Sequence, residues 1–596
     1  MARGWSARSL PPGGRAPAPE PARALFGRFW PYTRGLRPWM GVGGGVLLLV
    51  PAVEAGEIWL FKRLIDDVLV PRDLAPLGPL VVLYVVLNLL SGGLSFGDRL
   101  LSAWVGGRFV LRVRAALFAH LLRASPVQLA RRPLGDVLTR LSADVTAVET
   151  FLVRGPSIAV ESGARLVVFV TVMVWIDPLL TAVALLAAPA FWLLARRFSA
   201  AIRDAARERR VRSGQLQSLA EEALSALGQV QAASAEEHEN GRFAAEGRAV
   251  LAAEMRAARI QGAFRPLVDL FELAGGLAVV ATGAWALSAG RLTLGELLAF
   301  LTYLTQLFGP VRALTDLVTS ASKAAASAER VDELMDEEPI VADAPHAVAP
   351  TRPLAAALSL QDVTFAYPGA DACALTGVTV RFDPGSVTAV MGPSGSGKST
   401  LAALLVRWCD PTAGSVELDG HDLRTLPLRT VRSSVGLLLQ DTHLFDGTIA
   451  DNVAYGTRPG PGSLDRALHD ADAAPFVEAL PGGVDHRVGP KGHSLSGGQR
   501  RRLALARALH ATHPILVLDE YSAGLDAATT RRIIEALRRL GRTLVLITHD
   551  PDVAAVADRV VVLDGGRIAE AGRAGVTLGA SPQHDLAAAG PAAFRC

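Results

Sequence analysis

The sequence predicts two fold classes in one chain: an all-α polytopic membrane domain, followed by an α/β domain built around a phosphate-binding loop. Half of the 596 residues are hydrophobic, and the long apolar segments lie in the first half of the chain. The second half contains a glycine-rich loop at 392–400 and an apolar run that ends in two carboxylates at 519–520. A chain of this length is also expected to form more than one domain.

Six long apolar segments lie near residues 40–62, 78–103, 152–176, 179–198, 266–288 and 295–318. Each supplies the roughly 20 residues that cross the hydrocarbon core of a membrane. A single segment of this kind could be a buried core helix, but six of them in one half of the chain argue against that alternative. We therefore expect six transmembrane helices in a membrane domain that covers residues 25–322.

Two connections between these segments are long and rich in arginine, at about 104–151 and 199–265. Arginine-rich connections stay on the cytoplasmic side of a membrane. Helical periodicity continues into both connections, which predicts helices that extend well past the bilayer into the cytoplasm. The turns at their tips, near 125–136 and 231–239, are expected to meet the second domain.

The remaining boundaries follow from composition. We expect a disordered cytoplasmic N-terminus at 1–24, without a cleaved signal, because no apolar run precedes Met40. A charged and then proline-rich stretch at 323–354 predicts a linker. The second domain is expected at 355–575 and a tail of small residues at 576–596.

The net charge of +3 is too small to favour nucleic-acid binding.

The loop Gly392-Pro393-Ser394-Gly395-Ser396-Gly397-Lys398-Ser399-Thr400 follows a strand-like run and precedes a helix-like one. Glycines allow backbone N–H groups to converge on phosphate oxygens, and the positive end of the helix dipole favours an anion. Lys398 is expected to contact the β- and γ-phosphates of a nucleotide, and Ser399 to ligate Mg²⁺. A glycine-rich turn without a ligand is the alternative, and the complete motif in this context argues against it.

Two adjacent carboxylates, Asp519 and Glu520, follow the apolar run 515–518, which is typical of a buried parallel strand. Asp519 is expected to hold Mg²⁺ through water, and Glu520 can accept a proton from an attacking water. Two such residues could also begin a helix or occupy a solvated turn. The strand before them and the phosphate-binding loop upstream favour the catalytic interpretation.

The five residues Leu495-Ser496-Gly497-Gly498-Gln499 lie between the loop and the carboxylates. The three motifs in this order resemble the ATP-binding cassette superfamily. With six apolar segments ahead of them, nearly the whole chain is similar to an exporter-type half-transporter. This resemblance implies a six-helix membrane domain fused to one ATPase domain, which itself includes an α-helical subdomain.

The resemblance also implies roles for single residues. Tyr367 would stack on adenine, Gln440 would contact Mg²⁺, and His549 would contact the γ-phosphate. The signature residues would contact ATP held by the opposite subunit, and Asp526 would join the two sites. The implied ATP-binding set is Tyr367, Gly392, Pro393, Ser394, Gly395, Ser396, Gly397, Lys398, Ser399, Thr400, Gln440, Ser496, Gly497, Gly498, Gln499 and Asp526. The implied catalytic residues are Glu520, His549 and Lys398, and the implied Mg²⁺ ligands are Ser399, Gln440 and Asp519.

What the resemblance implies about function is ATP-driven transport across a bacterial cell membrane. We expect export of a small amphipathic molecule, lipid, drug or natural product. A siderophore or metal-chelate importer of the same architecture and a non-transporting regulatory ATPase are the alternatives. The expected partners are a second half-transporter, identical or related, the lipid bilayer and a small-molecule substrate, without nucleic acid.

Four features depart from the family pattern and leave the coupling between the two sites, and to transport, open. These are the stretch 522–525 before Asp526, the pair Pro490-Lys491 ahead of the signature, Asp550 after His549, and Leu439 before Gln440. In the membrane domain, Glu54 and Glu57 are three residues apart in an apolar segment, and so share a helical face. They either pair with a cation such as Arg165 or line a cavity that attracts a cationic substrate.

Overall fold

The computed structural model describes residues 22–350, 354–370, 372–457 and 460–574. These residues form two compact units. The first unit contains the chain up to residue 118 together with 135–336, and the second contains 119–134 together with the chain from 337 onward. The short segment 119–134, which the sequence places inside the membrane domain, therefore belongs to the unit that carries the phosphate-binding loop.

Two predicted boundaries fall largely outside the described residues. Of the predicted N-terminal stretch 1–24, only residues 22–24 are described, and they begin a helix. The predicted tail 576–596 lies outside the described residues. The predicted linker 323–354 is partly helical, because the last long helix of the first unit continues to Asp336. Alanine, lysine and glutamate in this stretch favour a helix, which explains the difference.

The first unit is built from long helices. Its helices, with the short one that joins the second unit, are α1 (Ala22–Phe29), α2 (Arg37–Leu64), α3 (Leu77–Leu121), α4 (Pro126–Leu129), α5 (Leu134–Thr139), α6 (Val145–Glu149), α7 (Gly155–Ile176), α8 (Pro178–Ser225), α9 (Leu227–Ala232), α10 (Glu236–Ser288) and α11 (Leu294–Asp336). Wider π-helical turns at Arg140–Asp144 and Thr150–Arg154 join α5, α6 and α7. The long apolar runs are thus helical throughout, as predicted.

Four helical stretches among the described residues are long and apolar enough to cross a membrane: Arg37–Leu69, Leu77–Leu121, Leu134–Ile176 and Leu294–Asp336. They contain the predicted segments 40–62, 78–103, 152–176 and 295–318. A shorter apolar stretch, Leu273–Ser288, overlaps the predicted segment 266–288. The segment 179–198 lies in α8, partly outside the residues with described side chains. The count of six spans therefore stays a prediction.

An apolar core holds the membrane helices together. Phe169 and Met173 of α7 and Phe300 and Tyr303 of α11 are almost fully buried in one cluster. The rings of Phe169 and Tyr303 lie edge to face at 5.4 Å. The Tyr303 hydroxyl donates a 2.6 Å hydrogen bond to the backbone carbonyl of Ala55 in α2. This bond satisfies a buried polar group and fixes α11 against α2.

The second unit is an α/β domain. Its elements are β1 (Leu358–Phe365), β2 (Leu375–Phe382), β3 (Val387–Met391), α12 (Lys398–Leu405), β4 (Ala413–Leu418), β5 (His421–Asp422), α13 (Leu428–Ser434), β6 (Val435–Leu438), α14 (Ile449–Val453), α15 (Ser463–Asp470), α16 (Ala474–Glu478), α17 (Gly497–His510), β7 (Ile515–Asp519), α18 (Ala527–Arg539), β8 (Thr543–Ile547), α19 (Pro551–Ala555), β9 (Arg559–Asp564) and β10 (Arg567–Arg573).

Two sheets organise this domain. The smaller one is antiparallel, in the order β2-β1-β4-β5, and the larger has the order β10-β9-β3-β8-β7-β6. All neighbours in the larger sheet are parallel except β10 and β9. Alternate residues of its strands enter two separate apolar clusters, one on each face. Burial on both faces explains why the sequences of β7 and β8 are continuous apolar runs. The parallel direction of β3, β8, β7 and β6 places their carboxyl ends at one edge of the sheet.

Candidate functional site

The phosphate-binding loop turns from β3 into α12 through glycines that no other residue could replace without strain. Gly392 has a φ of +151°, and a Cβ at this position would lie 2.1 Å from the carbonyl oxygen of Leu563. Gly397 has a φ of +99°, and its Cβ would lie 2.6 Å from the carbonyl of Ala374. The chain needs glycine here both for the backbone conformation and for the close approach of neighbouring strands.

The loop presents donors at the start of α12. The Lys398 ammonium donates to the carbonyl oxygens of Gly392 and Pro393, both at 2.8 Å, so it lies across the mouth of the loop. The first backbone N–H groups of α12 have no acceptor within the helix. The Ser396 hydroxyl is buried and has no hydrogen-bond partner among the described residues. These unsatisfied donors and the cation suit a phosphate group.

Tyr367 lies beside this loop. Its hydroxyl is 3.0 Å from the hydroxyl of Thr400, and its ring stands edge to face on Phe365 at 5.0 Å. The ring is only partly buried, which leaves part of its surface open beside the loop. The structure thus brings Tyr367 to the loop, and its stacking on adenine stays a prediction.

Three predicted residues meet at the carboxyl ends of β6, β7 and β8. Glu520 follows β7 with a φ of +48°, a conformation that residues other than glycine rarely adopt and that is common at functional sites. The side-chain amide of Gln440 donates to Glu520 Oε2 at 2.6 Å. His549 Nδ1 lies 3.3 Å from Glu520 Oε1. The parallel order β8-β7-β6 makes this meeting possible.

Asp519 has a different environment from its neighbour, although both are carboxylates. Asp519 is 7% exposed, whereas the side chain of Glu520 is 20% exposed. Burial, together with the charge of Glu520, raises the pKa of Asp519 to about 6, and the charge of Lys398 acts in the opposite direction. A buried carboxylate of this kind is stabilised as an anion when a cation approaches it.

The oxygen donors near the loop fit Mg²⁺. Ser399 supplies a hydroxyl, Gln440 an amide oxygen and Asp519 a carboxylate, and Mg²⁺ prefers oxygen ligands. Among the described residues there is no cluster of three or more His, Cys, Asp or Glu side chains that could hold a metal ion alone. Binding of Mg²⁺ at this edge would therefore depend on phosphate oxygens in addition to the protein.

The signature residues lie at the start of α17. The Ser496 side chain accepts from the backbone N–H of Gln499, and the Gln499 side chain accepts from the N–H of Ser496, forming a capping box. Ser496 and Gly497 are exposed. Among the hydrogen bonds of the described residues, none joins the signature to the loop 392–400. These two parts of the predicted ATP site are therefore not joined by a hydrogen bond within the described chain.

Asp526 caps the next helix, α18. Its carboxylate accepts from the backbone N–H of Thr529 at 2.9 Å and from the Thr529 hydroxyl at 2.8 Å. These hydrogen bonds lower the pKa of Asp526. The preceding Gly524 has a φ of +76°, and a Cβ added to Gly498 would lie 3.4 Å from the Gly524 carbonyl. The stretch before Asp526 thus abuts the signature helix.

The first cytoplasmic tip meets the α/β domain, as the sequence predicts, and it does so through residues that the sequence analysis did not identify. Ser125 donates to the carbonyl of Trp408. Gln128 is 5% exposed; it donates to the carbonyl of Glu338 at 3.2 Å and accepts from the N–H of Ile340 at 3.2 Å. In the sequence, the only sign of this contact is that Gln128 is a polar residue within the short apolar stretch 127–130. Contact of the second tip, near 231–239, stays a prediction.

In the membrane unit the two glutamates of α2 have different partners. Glu54 Oε1 lies 2.6 Å from Arg165 of α7, and Arg165 also lies 3.3 Å from Glu161. Glu57 hydrogen-bonds to Asn88, and its Oε1 is buried without a hydrogen-bond partner among the described residues. The predicted pairing with Arg165 therefore holds for Glu54. Glu57 forms no ion pair with Arg165 in the described part of the chain.

Comparison with known proteins agrees with this architecture. The family model of the ABC transporter transmembrane region matches residues 40–311, and that of the ABC transporter ATPase matches 375–523. An ATP-dependent lipid A-core flippase of Syntrophus aciditrophicus is 30% identical over 92% of this chain and 91% of its own length. A multidrug efflux ATP-binding/permease protein of Mycobacterium tuberculosis is 35% identical over 89% of this chain and 44% of its own length.

The fold has a close counterpart among solved structures. The structure of a bacterial Atm1-family ABC exporter with ATP bound has a TM-score of 0.74 and 28% sequence identity, covering 90% of this chain and 96% of that one. Membrane helices fused to this ATPase define a membrane-embedded, ATP-dependent transporter. The chain belongs to the ATP-binding cassette transporter family.

Membership of the family fixes several properties. The chain binds ATP and couples ATP hydrolysis to transport. It is a multi-pass membrane protein of the inner membrane whose ATPase domain lies in the cytoplasm. Its relatives are flippases and efflux proteins, which supports an exporter over the import alternative. Half-transporter exporters of this family function as dimers.

Proposed function

We propose that this chain is one half of a homodimeric exporter in which two ATP molecules are held between two ATPase domains. The observation that carries this proposal is the placement of the signature. Ser496 and Gly497 are exposed at the start of α17, with capping hydrogen bonds already satisfied. A second copy would bring them to a nucleotide on the loop 392–400. This chain has a suitable residue at each proposed catalytic position. A second identical chain can therefore complete both ATP sites.

The proposed chemistry at each site is attack of water on the γ-phosphorus of ATP, which breaks the bond to the bridging β-phosphate oxygen and releases ADP and inorganic phosphate. Glu520 accepts the proton of that water, and Gln440 and His549 orient the carboxylate from either side, at 2.6 and 3.3 Å. Lys398 and the backbone donors of α12 stabilise charge on the phosphates. Mg²⁺, when bound with ATP, neutralises phosphate charge, and Ser399, Gln440 and Asp519 are the residues that would hold it.

The proposed substrate is a small amphipathic molecule that carries positive charge. Four carboxylates, those of Glu54, Glu57, Asp98 and Glu161, lie on α2, α3 and α7. Arg165 pairs with two of them, Glu54 and Glu161. Ionisable side chains in a membrane segment are costly to bury and usually face a cavity or a partner. The carboxylates that Arg165 does not neutralise would favour a cationic substrate.

A reconstitution experiment tests this function. The chain alone, purified and placed in lipid vesicles, is expected to hydrolyse ATP faster when cationic amphipathic compounds are added. A requirement for a second, different chain would overturn the homodimer. Basal hydrolysis that neither cationic nor neutral amphipathic compounds stimulate would favour a regulatory ATPase over a transporter.

A further inference from the structure

Exposed tryptophan and arginine side chains lie at residues 30–39, where the chain enters α2, and on the neighbouring part of α3. We define an elbow patch by its residues, which are Trp30, Arg34, Arg37, Trp39, Trp104, Arg108 and Arg112. The first four precede or begin α2, and the last three lie on one face of α3, four residues apart. The three indole side chains belong to residues that are 41%, 49% and 43% exposed. Three large exposed rings in one patch are typical of a surface that contacts a membrane or another molecule.

The patch marks the cytoplasmic surface of the membrane. The first apolar segment begins at residue 40 and the second ends at residue 103, two boundaries read independently from the sequence. The residues just outside them, Trp39 and Trp104, touch in the structure, with their rings 5.8 Å apart and at 70°. Tryptophan concentrates at this level of a membrane because its ring is apolar and its N–H is polar.

Two arginines of the patch, Arg37 and Arg108, stack on its tryptophan rings. The Arg37 guanidinium lies over the Trp30 ring at 5.1 Å, and that of Arg108 lies over the Trp104 ring at 5.1 Å. Stacking on a ring fixes the plane of a guanidinium and leaves its N–H groups at the edge free to donate. Arg112 donates to two backbone carbonyls of the segment 32–34, at 3.1 and 2.6 Å, which ties the segment to α3.

No carboxylate neutralises the patch among the described residues. Neither 22–39 nor 99–118 contains an aspartate or glutamate. Of the carboxylates near these helices, Glu149, which lies against Gly106, is 3% exposed and pairs with Arg154 at 3.2 Å. Asp98 of α3 lies inside the apolar segment 78–103, beside Gly43 of α2, and its Oδ1 has no hydrogen-bond partner among the described residues. Asp332 and Asp336 pair with Arg28 of α1. The patch therefore carries an uncompensated positive charge beside exposed aromatic rings.

We propose that the elbow patch binds the headgroup of an anionic phospholipid of the cytoplasmic leaflet. Arg37 and Arg108 would receive the phosphate, because phosphate matches the fork of guanidinium donors. Arg37 Nε donates to the Thr33 hydroxyl at 3.3 Å, and its two terminal nitrogens remain for the phosphate. The exposed side chains on the membrane side, Val42, Phe96 and Leu100, would contact the acyl chains. This apolar continuation distinguishes a lipid from a free anion, and clusters of arginine beside a membrane helix recognise anionic lipids.

Native mass spectrometry of the full-length protein tests the proposal, with phosphatidylglycerol and phosphatidylcholine of identical acyl chains as probes. The wild type is expected to retain phosphatidylglycerol in preference to phosphatidylcholine. The double variant Arg37→Gln/Arg108→Gln should bind the first phosphatidylglycerol roughly 10–30-fold more weakly, since each arginine near a membrane surface contributes about 1 kcal/mol. The variant Arg37→Lys/Arg108→Lys, which keeps the charge but lacks the guanidinium fork, should bind phosphatidylglycerol more tightly than the glutamine variant and less tightly than the wild type.

A matched control is Arg209→Gln/Arg210→Gln, which removes two exposed arginines from α8. This control should bind phosphatidylglycerol as the wild type does. Equal binding of the two lipids by the wild type, or unchanged binding by Arg37→Gln/Arg108→Gln, would overturn the proposal. If inorganic phosphate alone raises the melting temperature of the wild type as much as the lipid does, the patch recognises a free anion and the lipid assignment is wrong.

Discussion

The side-chain amide of Gln440 donates a 2.6 Å hydrogen bond to the Oε2 atom of Glu520, across the carboxyl ends of β6 and β7. The residues are 80 positions apart in the sequence, and the parallel pairing of the two strands brings them together. With His549 on the other carboxylate oxygen, Glu520 is held in one orientation. A general base must be positioned in this way to act on one water molecule.

Lys398 should contribute to ATP binding itself. Replacing Lys398 with alanine removes a cation that lies across the mouth of the loop. Hydrogen bonds to charged groups contribute about 1.5–3 kcal/mol, so we expect ATP affinity to fall about 10–150-fold. Titration of the purified protein with a fluorescent ATP analogue measures this. Lys323→Ala, at an exposed position of α11, is the matched control, and unchanged affinity in Lys398→Ala would contradict the assignment.

Mixed dimers should show that each ATP site is shared between two chains. Homodimers of Ser496→Arg and of Glu520→Gln are both expected to lose hydrolysis. A dimer with one chain of each variant keeps one complete site, because the intact signature then faces the intact Glu520. We expect this mixed dimer, purified with two different affinity tags, to hydrolyse ATP at least about ten-fold faster than either homodimer.

The control for that experiment is a mixed dimer of Glu520→Gln with the wild type, which also keeps one complete site. If the control is active and the dimer of the two variants is not, the signature acts on ATP bound to its own chain. The shared-site account would then be wrong.

The charged form of Asp519, which is needed to hold Mg²⁺, should lower the free energy of unfolding of the chain. Its raised pKa, about 6, means that the folded chain binds the proton more tightly than the unfolded chain does. The destabilising contribution of this charge therefore has its full size above pH about 6. It disappears as the pH falls below about 4, the ordinary pKa of an aspartate. One pKa unit corresponds to about 1.4 kcal/mol, so Asp519→Asn should stabilise the protein by on the order of 1–2 kcal/mol at pH 7.5.

Thermal unfolding of the full-length protein at two pH values checks this. For an ATPase domain of this size we expect the Asp519→Asn melting temperature to exceed the wild-type value by roughly 2–8 °C at pH 7.5. The difference should shrink near pH 4.5. Hydrolysis that depends on Mg²⁺ should be lost in the same variant. A variant less stable than the wild type at pH 7.5 would show that the charge of Asp519 is compensated in the fold.

Glu57 and Glu54 should respond differently to replacement by glutamine. Glu54→Gln removes the 2.6 Å partner of Arg165 and is expected to lower the melting temperature. Glu57→Gln removes a carboxylate that Arg165 does not neutralise, so it should reduce the stimulation of ATPase activity by cationic compounds. Stimulation by neutral amphipathic compounds is the internal control. Equal stimulation of wild type and Glu57→Gln by a panel of cationic compounds would return Glu57 to a structural role.

The motifs of the ATPase were predictable because their chemistry depends on local sequence. Glycines at 392 and 397 are required by backbone conformation, and Asp519 is the last residue of a strand that is buried on both faces. Contacts between distant elements were not predictable in the same way. The helical spacing places Glu54 and Glu57 on one face, but a residue on α7 decides which of them is paired. Likewise, nothing local shows that Gln128 hydrogen-bonds to the backbone at 338 and 340.

The most direct test of the central claim is ATP-driven transport in vesicles with the ATPase facing outward, comparing the wild type with Glu520→Gln. The wild type is expected to accumulate a cationic amphipathic compound when ATP and Mg²⁺ are added. Glu520→Gln should bind ATP as the wild type does, hydrolyse it about 10²–10⁴-fold more slowly, and accumulate no compound. Glu535→Gln, at an exposed position of α18, should behave as the wild type. Hydrolysis and accumulation at the wild-type rate in Glu520→Gln would contradict the account.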